Sequence, residues 1–254
     1  VLKKESFDKY KDFWNEYGLV LKEGPAEDRE NKDTIASLLL FATTYANSKD
    51  CDQTLDDYLE RMGNDQDKIY YCVADTFEAA ANSPHIEGLK SKGIEVLLLT
   101  DRIDEWVMGG LMEYQGKELI NVAKEDIVEE EETKKVSEGD QEIISKIRKH
   151  LGDKVSDVIL SKRLTDSASC IVLPKHEPGA QLRKILEASG QTLGSSNPIF
   201  EINMKHKLVK KLKDMKGKQF NSFVDFLYDY AVIAEGGSPQ DPSKYLRQLD
   251  KYLS

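Results

Sequence analysis

Ile69-Tyr70-Tyr71-Cys72-Val73 and Glu95-Val96-Leu97-Leu98-Leu99 bracket a segment with readable helix ends, and that pattern decides the fold class. Both flanking runs are aromatic, β-branched or aliphatic and of strand length. Between them, Ser83 offers an N-cap oxygen and Pro84 has the preset φ of a first helical position. Gly93 stands where a helix closes in the left-handed region. Strand, helix, strand is a βαβ unit, which predicts two parallel neighbouring strands with helices against the sheet. Neither G-x-G-x-x-G nor G-x-x-x-x-G-K-[ST] occurs in the chain, so the unit carries no nucleotide signature.

Upstream, Phe7, Tyr10, Phe13, Trp14 and Tyr17 stand at helical spacing, with Gly18 as a C-cap candidate. Helix also fits Asn31 to Ala46, where Ile35, Leu38, Leu39 and Ala42 share a face, and Leu55 to Met62, stopped by Gly63. Downstream, Thr100-Asp101 can cap a helix beginning at Arg102. The carboxylates Asp101, Asp104 and Glu105 resemble a metal or acid/base cluster, although acidic residues in a first turn also follow from the helix dipole alone. Gly109 and Gly110 then fall inside a helical pattern, each costing roughly 1 kcal/mol against Ala. Either the helix ends or packs closely there, with Trp106, Met108 and Met112 in the core, or these residues form an adaptable surface that binds apolar segments of other proteins.

The remainder reads differently. Ile143, Ile144, Ile147 and Leu151 mark an amphipathic helix closed by Gly152. Val155–Leu160, Ser169–Leu173 and Pro198–Ile202 are strand candidates for a small antiparallel sheet, with Arg163–Ser167 as a turn. Gly179 to Ser189 carries Leu182, Ile185 and Leu186 on one helical face, and so short a helix needs a cover. Seven lysines from Lys205 to Lys218 come without arginine or an aromatic for base stacking, and read as a solvated helix face rather than a nucleic-acid site. Phe220 to Ala234 is apolar nearly all round and ends at Gly236-Gly237. Asp241-Pro242 opens a last helix with Tyr245, Leu246, Leu249, Tyr252 and Leu253 in a stripe. Two such helices either fit against the small sheet or dock on a second copy as a symmetric four-helix contact.

Composition bounds the class. The chain has 254 residues with 39% hydrophobic and 32% charged, a mean hydropathy of -0.54, and no apolar run near the ~18 residues of a membrane span. Residues 1–135 hold 17 basic and 31 acidic side chains, net -14, and residues 136–254 hold 19 and 15, net +4. The sign changes at Glu129–Lys135, which reads as a charged linker over 129–140 between domains at 1–128 and 141–254. Cys51, Cys72 and Cys170 lack disulfide or metal spacing, and His85, His150, His176 and His206 are scattered and read as surface residues. No metal site or bound cofactor is expected. The opening Val1-Leu2-Lys3-Lys4-Glu5 has neither an initiator Met nor a signal peptide, and reads as a start inside a longer chain in a reducing cytoplasm.

Several blocks together resemble a known family. Phe13–Leu19, Arg61-Met62 leading to Lys68–Tyr71, and Gly93–Trp106 are similar to the middle domain of the 90-kDa heat-shock protein chaperones. Arg163–Asp166, Phe200–Asn203 and the Asp241-Pro242 helix are similar to that family's C-terminal domain. The ending Lys251–Ser254 lacks the acidic co-chaperone tail of eukaryotic members, which points to the bacterial branch. The resemblance implies an α+β chain: a small βαβ-containing αβα subdomain, then a domain with a small sheet and a C-terminal helical dimerisation bundle.

It further implies a client-binding surface at Glu105, Trp106, Met108, Leu182, Ile185 and Leu186, and a homodimer interface at Phe223, Val224, Leu227, Tyr228, Leu246, Leu249 and Leu253. Partners implied are partly unfolded clients, a second copy and an Hsp70-type chaperone system, with no nucleic acid and no membrane. ATP and Mg belong to the intact family member, whose nucleotide domain and phosphate-contacting arginine have no counterpart here, so this chain is expected not to be an ATPase. Two other readings stay open: an α/β enzyme around Cys72, Asp101 and Asp104, and a purely structural dimerisation module.

Overall fold

The computed structural model describes residues 6–124, 137–174, 177–190 and 197–253. In chain order its helices are α1 (Phe7–Glu27), α2 (Lys32–Ala36), α3 (Leu55–Arg61), α4 (Phe77–Ala81), α5 (Glu87–Ser91), α6 (Asp104–Gly110), α7 (Glu138–Leu151), α8 (Ala180–Ala188), α9 (Lys207–Lys210), α10 (Gly217–Ala234) and α11 (Pro242–Leu253). Its strands are β1 (Ala42–Thr43), β2 (Lys68–Val73), β3 (Val96–Leu99), β4 (Glu113–Tyr114), β5 (Lys117–Asn121), β6 (Asp157–Leu160), β7 (Ser169–Val172) and β8 (Ile199–Ile202). The fold mixes α and β, with one small sheet in each of two compact units. Neither unit is continuous in sequence. The first takes Val1–Ala81, Lys92–Val122 and Pro178–Leu193, and the second Asn82–Ser91, Ala123–Glu177 and Gly194–Ser254. Most of the stretch read as linker lies outside the described residues, and α7 begins inside it at Glu138.

In the first unit the strand order is β1-β3-β2-β5-β4. β2 runs parallel to both neighbours, with Tyr70 opposite Val96 on one side and Ile120 on the other, so the expected parallel pair is present. All four residues of β3 are buried, which is why its run is apolar without alternation. A Thr54/Asp57 capping box starts α3. Two contacts then pin that helix to the entry of β3: the Tyr58 hydroxyl donates to the Glu95 carbonyl at 2.6 Å, and Arg61 holds the Glu95 carboxylate with two bonds of 2.9 and 2.8 Å. Tyr10, Trp14, Leu55, Tyr58, Tyr71, Leu97 and Leu99 share the core.

Three expectations are corrected here. Gly18 does not end the first helix: it is not in the left-handed region, α1 continues to Glu27, and the missing side chain serves the Trp14 ring, 2.8 Å from where a Cβ would sit. The stretch Asn31–Ala46 is helical only over Lys32–Ala36, since residues 39–43 are all buried and pass through the core extended, with Ala42-Thr43 pairing β3. Thr100-Asp101 does not cap α6, which begins at Asp104; the Asp104 carboxylate instead accepts from the Asp101 N–H at 2.9 Å. Between β2 and β3, Ser83 does cap, accepting from the His85 N–H above a short 3-10 turn that runs into α5, and Gly93 adopts φ +71.

In the second unit β8 lies between β6 and β7, parallel to the first and antiparallel to the second, so the sheet is mixed and not antiparallel. Ser161–Ala168 forms no hairpin because its N–H groups are taken elsewhere: those of Arg163 and Leu164 by the Ser161 hydroxyl, and those of Thr165, Asp166 and Ser167 by Glu87. α7, capped by Ser137 and closed at Gly152 (φ +54), buries Ile143, Ile147 and Leu151 as its spacing predicts. The lysine run is not one helix: α9 gives way to a 3-10 turn at Lys211–Asp214 that buries Leu212. α10 is buried on several sides, and α11 packs on it through stacked Phe226 and Tyr245 rings 5.4 Å apart.

Candidate functional site

Within the first unit, α6 presents its side chains to two environments. Trp106 is 42% exposed, while Met108 is 3% exposed and part of the core. Two residues along a helix turn by about 200°, so Trp106 and Met108 cannot share a face. Met108 is therefore withdrawn from the expected surface; Met112, just past the helix, is 67% exposed.

The glycine pair also resolves. Position 110 approaches Ala26 of α1 so closely that a Cβ would lie 2.8 Å from the Ala26 Cα, whereas position 109 faces open space. Close packing, one of the two readings left open, accounts for Gly110.

Glu105, also expected on the client surface, is only 6% exposed. Its carboxylate accepts from the Gly179 N–H at 2.5 Å and the Leu182 N–H at 3.3 Å, at the start of α8. On that helix Ile185 is 41% exposed and Leu182 and Leu186 are half-buried. Trp106 and Ile185 are thus the open apolar positions of the expected set.

The carboxylate trio is not one centre. Asp101 and Asp104 each lie 2.6 Å from the Lys22 ammonium, and Glu105 serves α8. Among the described residues no group of three or more His, Cys, Asp or Glu is arranged to hold a metal. Cys72 is buried within β2.

In the second unit, Phe223, Val224 and Leu227 are fully buried in the core under α7 and the sheet. That removes three residues of the expected dimer interface. Tyr228 and Leu249 are half-buried, Leu246 is 57% exposed, and the Leu253 side chain lies outside the described residues. The reason is periodicity: an all-round apolar helix reports burial but not which side belongs to its own domain.

Sequence reasoning missed a buried polar chain in this unit. His85 is 1% exposed, with Nε2 2.7 Å from Glu235 and Nδ1 3.4 Å from the Arg163 guanidinium, which in turn pairs with Glu201 at 3.1 Å. His85 is thus no surface residue. The four groups are spread over 150 positions, and no local spacing signals them. His150 pairs with Asp225 and His206 caps α9, while His176 lies outside the described residues.

A parallel βαβ unit and a mixed three-stranded sheet with two packed helices make this an α+β chain, and comparison supplies the family. The chain belongs to the Hsp90 protein family, whose model matches residues 2–254. It is similar to the chaperone protein HtpG of Aromatoleum aromaticum, with 46% identity over 97% of this chain and 39% of that protein. It is likewise similar to HtpG of Pseudoalteromonas translucida (43%, 98% and 41%) and of Legionella pneumophila strain Lens (43%, 96% and 40%). The chain thus spans about two-fifths of the length of these curated relatives.

Proposed function

We propose that this chain is the client-holding and dimerising part of an Hsp90-type chaperone. Clients are partly unfolded proteins, engaged in the first unit by Trp106 and by α8 through Ile185, with Leu182 and Leu186 behind it. The observation that carries this reading is an exposed Trp106 in a unit that also turns Ile185 to solvent. Large apolar side chains left open on a charged surface favour binding of other apolar segments over solvation.

The second unit makes the homodimer, in this reading, through the outer face of α11 around Leu246, bordered by Leu249 and Tyr228. In the whole protein, ATP hydrolysis elsewhere in the chain drives opening and closing; this chain turns over no ATP. Its setting is the cytoplasm, and an Hsp70-type system is a partner of the whole protein. No helix among the described residues is long and apolar enough to cross a membrane.

The test is suppression of aggregation of a thermally unfolding protein by this chain, repeated with Trp106→Arg and Ile185→Asp at unchanged dimer content. Loss of protection in both variants is expected. Equal protection by both, alongside the parent, overturns the placement of the surface and leaves dimerisation as the remaining role.

A further inference from the structure

The start of α8 cannot cap itself. The first-turn N–H groups of a helix have no partner within it, and Pro178-Gly179, the two residues before α8, bring no side-chain acceptor. Glu105 supplies the missing acceptor from another helix, with one carboxylate oxygen to the Gly179 N–H at 2.5 Å and the other toward the Leu182 N–H at 3.3 Å. Position 179 has to be glycine for this: a Cβ there would stand 2.7 and 2.8 Å from the two carboxylate oxygens. The contact is built from both sides, and Glu105 as a whole is only 6% exposed.

α8 has nine residues, too few to be stable in water by itself. A charge-assisted bond to its first turn is therefore a large share of what holds it helical and seated. We infer that Glu105 is a latch: it seats α8 on α6, and its release frees the Leu182 and Leu186 side chains that docking half-covers. Glu105 is thus a positioning residue, and Trp106, its neighbour in sequence, is the contact residue. In this account α6 regulates the apolar area offered to a client, which rests on the function proposed above.

Amide hydrogen exchange of residues 182–188 tests the latch without reference to clients. Glu105→Gln removes the charge and one acceptor oxygen, and Gly179→Ala drives the carboxylate off by contact. Each should raise exchange in 182–188 about tenfold, the scale of losing a helix cap. The double variant should exchange no faster than the faster single, since both break one contact. Exchange in β2 and β3 and the melting midpoint should stay as in the parent, as should everything in the control Glu113→Gln. Unchanged exchange in Glu105→Gln, additive effects in the double variant, or an equal rise throughout the first unit would overturn the latch.

The same proteins are then titrated with a reduced and alkylated, permanently unfolded protein, where the open latch should bind several-fold more tightly. Faster exchange with unchanged binding keeps the latch and refutes the client surface; unchanged exchange refutes the latch whatever binding does.

Discussion

The Lys22 ammonium lies 2.6 Å from the Asp104 carboxylate, with the two side chains 4% and 0% exposed. Asp101, 42% exposed, meets the same ammonium from its solvent side at 2.6 Å. The pair joins the C-terminal part of α1 to the start of α6, the two helices that also meet at Ala26 and Gly110.

Breaking this pair from one side should be costly, because it leaves a buried charge without its partner. Lys22→Met, which strands the fully buried Asp104 carboxylate, is expected to lower stability by about 3–5 kcal/mol, and Asp104→Leu by less, because Asp101 still holds the ammonium. The double variant Lys22→Met with Asp104→Leu should cost much less than the two added together. Urea unfolding of the four proteins measures the coupling, and strict additivity would show that the charges do not act as a pair.

The adjacent glycines on α6 should respond with opposite sign. Gly110→Ala forces a methyl against Ala26 and should destabilise by about 1–3 kcal/mol. Gly109→Ala meets nothing and should stabilise by about 0.5–1 kcal/mol through helix propensity alone. Thermal melts of the two single variants decide it.

Glu87 organises the loop that follows β6. Its Oε2 accepts from Thr165 and Asp166 N–H at 2.8 Å each, and its Oε1 accepts from the Ser167 hydroxyl at 2.5 Å. Glu87→Ala should cost about 0.5–1.5 kcal/mol, because water can take over the exposed Thr165 and Asp166 donors. Glu87→Gln should cost less, since its amide keeps one acceptor oxygen. Denaturant midpoints together with proteolysis at 161–168 report both effects.

The hold of α11 on α10 should fade in acid. Burial alone would push the Asp225 carboxyl up, but hydrogen bonds from Lys244 and His150 outweigh it and hold the group below its ordinary range. A depressed carboxylate contributes stability above its unfolded value, near pH 4, and loses it as pH falls through the lower folded value. Lys244 is raised by its bond to Asp225, so its share is present below about pH 10.4 and is lost as pH rises through the folded value. Near-UV dichroism of Tyr245 and Tyr252 should follow this window, and Asp225→Asn should flatten the acid limb. With Lys244 largely exposed, the amplitude should be about 0.5–1 kcal/mol.

A partner contact through α11 makes its own prediction. If the proposed dimer forms through α11, Leu246→Glu should leave only a species of 28.8 kDa in light scattering, with the fold intact, because Leu246 is 57% exposed and outside the core. Leu227→Glu should instead unfold the second unit, since Leu227 is fully buried.

Features that rest on local rules are legible along the chain. Apolar runs of strand length set β2 and β3 as a parallel pair, Ser83, Gly93 and Gly152 marked element ends where they occur, and the family blocks ran in order along the chain. Which face of each helix is buried within its own unit follows from packing, not from spacing. Phe223 and Leu246 look equally apolar in sequence, yet one is core and the other open, because periodicity fixes a stripe but not what covers it. The same holds for charge. Glu105 turned inward to cap α8, Asp104 closed on Lys22 82 positions away, and Gly110 proved to be a packing contact. Each depends on segments distant in the chain meeting within one core, and spacing along a sequence does not encode that meeting.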